Sequence, residues 1–171
     1  SVFESTIRLL GGLLSAHLFA IDPQLNVYPS AGAGAGTGSE QYDGGLLRLA
    51  VDLGDRLLPA FKTNTGIPYG TVNLRHGVPR GETEIASTAG AGSLIVEFEA
   101  LSSLSGDRRY GDAAYSALAG LFNRRSAIGL LGKHIPRPES NRRPKGLEKE
   151  TEGAGIVGCK QGPLMEEAGQ C

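Results

Sequence analysis

A chain of 171 residues is long enough for one modest domain with its own core. Its 17 Lys and Arg against 18 Asp and Glu leave a formal net charge of −1, which gives no electrostatic case for nucleic acid or an anionic membrane as a partner. No apolar run approaches the roughly 20 residues of a transmembrane helix.

Residues 2–19 read as a helix that is apolar over most of its circumference, and such a helix is buried. It carries two adjacent glycines, Gly11 and Gly12, each costing about 1 kcal/mol relative to alanine in a helix interior. Another backbone or a ligand must therefore come close there. At α-helical spacing, Glu4, Arg8, Gly11, Gly12 and Ser15 share one face, and Phe3, Ile7, Leu10, Leu14 and Leu18 supply the apolar remainder. Asp22-Pro23 stops the helix. Residues 28–41, nearly all Pro, Ala, Gly, Ser and Thr, read as a flexible insertion.

Residues 44–61 predict a second helix, with Leu46, Leu47, Leu49, Val51, Leu53, Leu57 and Leu58 on its apolar side. Residues 62–86, punctuated by glycine and proline, form a long ordered loop with a short hairpin around 71–74; loops of this length often carry function. Helical spacing returns over 89–104 and 107–125, with Asp107 as N-cap and Ser105-Gly106 as a tight turn between antiparallel neighbours. The pattern is all-α: two helical hairpins, one with a long loop and one with a short turn. Residues 136–171 contain no aromatic residue and mix prolines, glycines and charges of both signs. That composition cannot offset its ordering entropy, so the tail reads as disordered. Cys159 and Cys171 lie within it and form neither a metal spacing nor a disulfide framework.

Several motifs act together. Phe3-Glu4-x-x-Ile7-Arg8-x-x-Gly11-Gly12-Leu13-Leu14-Ser15-Ala16 is followed by Thr65-Gly66-Ile67-Pro68-Tyr69-Gly70-Thr71-Val72-Asn73-Leu74. Then come Thr88-Ala89-Gly90-Ala91-Gly92-Ser93-Leu94, Val96-Glu97-Phe98 and Ile128-Gly129-Leu130-Leu131-Gly132. Over residues 1–135 this run resembles glycoside hydrolase family 47, the class I α-1,2-mannosidases, and within it the ER degradation-enhancing α-mannosidase-like branch. That branch carries a cysteine where Ser87 stands, so a disulfide from this position is not expected.

The resemblance implies part of a barrel of seven helical hairpins, an (α/α)7 αα-toroid, over 1–135, with 136–171 an unrelated tail. It implies an inverting, calcium-dependent glycosidase of the endoplasmic reticulum lumen acting on high-mannose N-glycans of misfolded glycoproteins. Glu4 falls on the family's catalytic acid, and Arg8 orients it and holds it near substrate. Glu97 comes near the pocket floor. Asn73 belongs to a loop whose amide, cationic and aromatic side chains suit sugar recognition. The partner carboxylates and the calcium ligands belong to segments outside this sequence, so no metal ligand is assigned here. Arg137-Pro138-Glu139 has the letters of the family's catalytic-base motif but stands too early and in a proline-rich setting. An inverting site needs a second carboxyl group to activate water, so the chain as written is expected to be inactive. A non-catalytic mannose- or glycoprotein-binding protein is the alternative. His17 reads as a packing residue.

Overall fold

The computed structural model describes residues 1–25, 27–28 and 42–136. The expected insertion at 28–41 and the expected tail at 136–171 lie outside the described residues, apart from Tyr28 and Pro136.

Helix α1 runs through residues 2–21 in three contiguous stretches: α-helix Val2–Glu4, π-helix Ser5–Leu10 and α-helix Gly11–Ile21. The Ser1 side chain caps its start by accepting from the Glu4 N–H. The π segment changes which side chains are buried. A π bond reaches one residue further than an α bond, so the buried stripe steps by four through Val2, Thr6, Leu10 and Leu14 before ending on His17. Spacing at 100° per residue assigned Phe3, Ile7 and Leu18 to this role, but Phe3 and Ile7 are half-buried and Leu18 is exposed. Sequence periodicity assumes a uniform helix, and this helix is not uniform.

Helix α2, Gly45–Leu57, continues into a 3-10 turn at Leu58–Phe61 that starts with Pro59 in its first turn. It buries Ala50, Leu53, Gly54 and Leu57, while Leu49 points outward. Its start lies by the far end of α1, where His17 Nδ1 meets Tyr42 Oη at 2.8 Å, and the Leu46 N–H donates to the same hydroxyl at 3.1 Å. Past its other end, the Gly70 carbonyl accepts from the Val2 N–H at 2.9 Å. The two helices are therefore antiparallel. His17 is buried, as a packing residue should be.

The loop from 62 to 84 is anchored at its start. Tyr69 N–H donates to the Ala60 carbonyl at 2.9 Å, and Ile67 is fully buried. The expected hairpin appears slightly later, as an antiparallel bridge between Asn73 and Gly77. Strand β1, Ile85–Ser87, pairs antiparallel with β2, His134–Pro136, with Ala86 opposite Ile135. Periodicity could not reveal a ribbon of three-residue strands. Ala86 and Ile135 cover a small second core with Ile67, Ala91 and Leu121.

The expected helix 89–104 is two pieces: a short α3, Thr88–Gly92, and α4, Ile95–Ser105. Helix α5, Arg108–Phe122, begins at the Asp107 cap, whose carboxylate accepts from the Arg109 N–H at 3.0 Å. Gly106 adopts φ +75°, the left-handed conformation that lets the chain reverse between α4 and α5. The main core lies among α1, α2, α4 and α5. Phe98 and Tyr110, both fully buried, meet with ring centroids 6.4 Å apart, and Phe61 packs on Phe98 at 4.9 Å. Helices α2, α4 and α5 can close this tightly because Gly54 has no side chain: a Cβ there would stand 2.5 Å from a Leu101 methyl and 3.0 Å from the Tyr110 ring.

Candidate active site

Glu4 ends the first α-stretch of α1, and Arg8 lies one turn on, inside the π segment. Arg8 Nε donates to Glu4 Oε2. The pair is open to solvent, with 49% of the Glu4 side chain and 74% of the Arg8 side chain exposed. The contact holds the Arg8 guanidinium above its ordinary pKa, first through the hydrogen bond and then through the charge of Glu4. Only one carboxylate oxygen is occupied by this contact.

The two glycines divide the labour. Gly12 is exposed, and a Cβ there would meet nothing within 4 Å. Gly11 faces Glu97 instead: a Cβ would come 3.5 Å from Glu97 Cγ and 3.7 Å from its Oε1. Glu97 sits in the first turn of α4 and is half-buried. Its Oε2 is buried and has no hydrogen-bond partner, the only such side-chain atom among the described residues. A buried oxygen of this kind costs about 1–3 kcal/mol or more if nothing ever satisfies it. Helix α1 thus carries an exposed acid–guanidinium pair at Glu4 and Arg8 and, further along, a glycine that meets a half-buried carboxylate with one unpartnered oxygen.

Asn73 is placed differently. Its Oδ1 accepts from the N–H groups of Arg75 and His76 at 2.9 and 3.0 Å, which shapes the tip of the loop. Ser87, in the position where a cysteine was anticipated from the resemblance, caps α3 by accepting from the Gly90 N–H at 3.0 Å. A cavity of about 180 Å³ opens beside the first turn of α1, between Phe3, Tyr69, Ser87 and Gly90. Sequence reasoning missed Thr6, which sits fully buried in the middle of the motif and whose hydroxyl donates to the Val2 carbonyl at 2.9 Å. Its one signal was a polar residue four positions from Val2 in an apolar stripe. Among the described residues, no three His, Cys, Asp or Glu side chains gather as a metal site requires. No helix among them is long and apolar enough to cross a membrane.

The neighbouring helices carry Glu4 on α1 and Glu97 on α4. The model of glycosyl hydrolase family 47 matches residues 1–152, and the chain belongs to that family. It is 52% identical over 135 residues to ER degradation-enhancing alpha-mannosidase-like protein 2 of Homo sapiens, an alignment covering 79% of this chain and 22% of that protein. The corresponding protein 1 of Schizosaccharomyces pombe is 44% identical over 134 residues, covering 78% and 16%. Among solved structures, alpha-1,2-mannosidase from Trichoderma reesei superposes with a TM-score of 0.64 at 33% identity, over 80% of this chain and 27% of that one. The fold is part of an α/α barrel. The chain spans about a fifth of the length of the relatives it matches.

Proposed function

We propose that this chain carries the acid-bearing part of a glycosidase that removes α-1,2-linked mannose from high-mannose N-glycans of misfolded glycoproteins in the endoplasmic reticulum lumen. The observation that carries the reading is the face of α1. The segment that resembles the family's acid motif folds there with Glu4 and Arg8 open to solvent, and further along the same helix Gly11 meets Glu97, which has an unpartnered buried oxygen. A sugar offers many hydroxyl donors, and the open acceptor on Glu97 is matched to one.

In this reading Glu4 protonates the departing glycosidic oxygen. Arg8 fixes the rotamer of that carboxyl through one oxygen and leaves the other for the leaving group. Glu97 accepts a hydroxyl of the bound sugar and orients the ring. Asn73, through the loop tip it holds together, supplies a further polar contact. The relatives bear the name ER degradation-enhancing alpha-mannosidase-like protein, which supports the substrate class and the compartment. Calcium belongs to the chemistry of the family as a whole. The described residues offer it no cluster of ligands, so no step here runs through it.

Inversion needs a second carboxyl group about 6.5–9.5 Å from the acid to activate water. None of the described residues is assigned that role, and losing a general base costs about 10²–10⁴-fold. The test uses the 171-residue chain with α-1,2-linked oligomannose and calcium present. Sugar should perturb the NMR signals of Glu4, Arg8 and Glu97, with no mannose released. Unperturbed signals would sink the glycan reading. Turnover that Glu4→Gln abolishes would show that the chain holds more of the site than is assigned here.

A further inference from the structure

Thr6 is the one buried polar residue in the first half of α1, and its relative exposure is 0%. Its hydroxyl has no task in the proposed chemistry, and an aliphatic side chain would fill the same space without hiding a donor. It is nonetheless used. Oγ1 donates to the Val2 carbonyl, while the Thr6 carbonyl accepts the Gly11 N–H from five residues on. One residue thus bonds to a group on either side of the π segment that spans Ser5–Leu10, sharing the Gly11 N–H with the Arg8 carbonyl. Segments of this kind are rare and gather at functional sites.

The consequence is directional. One added residue in a turn rotates everything beyond it by about 100°, one residue's share of an α-helical turn. Upstream of that rotation stands Glu4, downstream stands Gly11, and Arg8 lies within it. Without it, Gly11 would return to the face of Glu4, and its contact with Glu97 would be lost or would change direction relative to the pair. We propose that Thr6 is a positioning residue: its buried hydroxyl holds the π segment, and the π segment sets the direction of the Glu4–Arg8 pair relative to Glu97. This rests on the reading of that pair as the reacting acid and its guide.

NMR on the 171-residue chain tests it. In the wild type the Thr6 hydroxyl proton should exchange slowly, and Gly11 should show close contacts to Thr6 across five residues. Thr6→Val keeps the shape and removes the donor. It should shift residues 5–11 towards α-helical bonding, move the Arg8 Nε–H signal and speed its exchange. Thr6→Ser restores the hydroxyl and should restore all three. Signals of Phe98 and Tyr110 report whether the core has survived. A rapidly exchanging Thr6 hydroxyl in the wild type, which requires no variant to fold, would overturn the proposal. So would a folded Thr6→Val with the Arg8 signal unmoved. Added α-1,2-linked mannobiose separates the two ideas. If the sugar leaves Glu4, Arg8 and Glu97 unperturbed while the Thr6 variants behave as stated, the positioning role stands and the glycan reading falls.

Discussion

The turn joining α4 to α5 and the face where α1 meets Glu97 handle their polar groups in opposite ways. At the turn, Ser102 Oγ donates to the Asp107 carbonyl at 2.9 Å, Ser105 Oγ to the Leu101 carbonyl at 2.6 Å, and the Asp107 N–H to Ser105 Oγ at 3.2 Å. The Tyr110 hydroxyl donates to Asp55 Oδ1 at 3.0 Å, and Arg109 joins Asp55 to Asp107. At the α1 face, Glu4 and Arg8 meet each other in the open, and one oxygen of Glu97 meets nothing. Stability is built into the first region. Unspent bonding capacity is kept in the second, as sites that must bind something require.

The closed region should be the easiest to break. Gly54→Val would drive a branched side chain into Leu101 and Tyr110. Overpacking there should cost about 3 kcal/mol, read from urea denaturation of the whole chain. A loss near zero would mean that α2 can move off the hairpin and that the region is looser than described.

The open region should respond with the opposite sign. Glu97→Leu removes a buried, unpaired oxygen and should raise stability by about 1 kcal/mol, while abolishing any perturbation of the Glu4 signals by oligomannose. Destabilisation instead would show that Glu97 is held by partners in solution.

Alkaline titration sharpens the contrast. Burial first, and then the hydrogen bond to Asp55, push the Tyr110 hydroxyl up to about 12. A tyrosine in the unfolded chain ionises near 10. The contribution from keeping Tyr110 neutral is therefore complete below pH 10 and is lost as pH rises towards about 12, with a slope of one proton. Tyr110→Phe should remove that fall from the stability curve. An unchanged curve would mean that neither burial nor the tie to Asp55 raises this hydroxyl in solution.

The smallest effect belongs to the exposed pair. Glu4→Gln removes a solvent-screened ion pair and should leave the unfolding midpoint where it is. A clear loss of stability would make the pair a structural clamp rather than a reserved acid.

Much of this was legible in the residues. The all-α class, the expected helices apart from the break that splits 89–104 at Ser93-Leu94, the Asp107 cap and the Gly106 turn follow from 3.6-residue spacing and from chemistry that acts within a few positions. The glycine pair pointed to a close approach that the described residues do not make: a Cβ at Gly12 would meet nothing within 4 Å, and one at Gly11 would stand in ordinary contact with Glu97, which comes from another helix. The β1–β2 ribbon escaped because each strand has three residues and its partner lies about fifty positions away. Thr6 escaped because a threonine in an apolar stripe has no periodic signature.

Sequence by itself determined the helices, their caps and turns, and the chemical types at Glu4, Arg8 and Glu97, since these depend on side-chain character and short-range spacing. Tertiary structure alone decided their directions. The π segment rotates one half of α1 against the other, and the packing of α4 brings Glu97 onto Gly11 with an oxygen left bare. A rotation of about one residue's worth changes almost nothing in composition or hydrophobic period. It is fixed only when a buried hydroxyl finds its carbonyl and the neighbouring helices close around it.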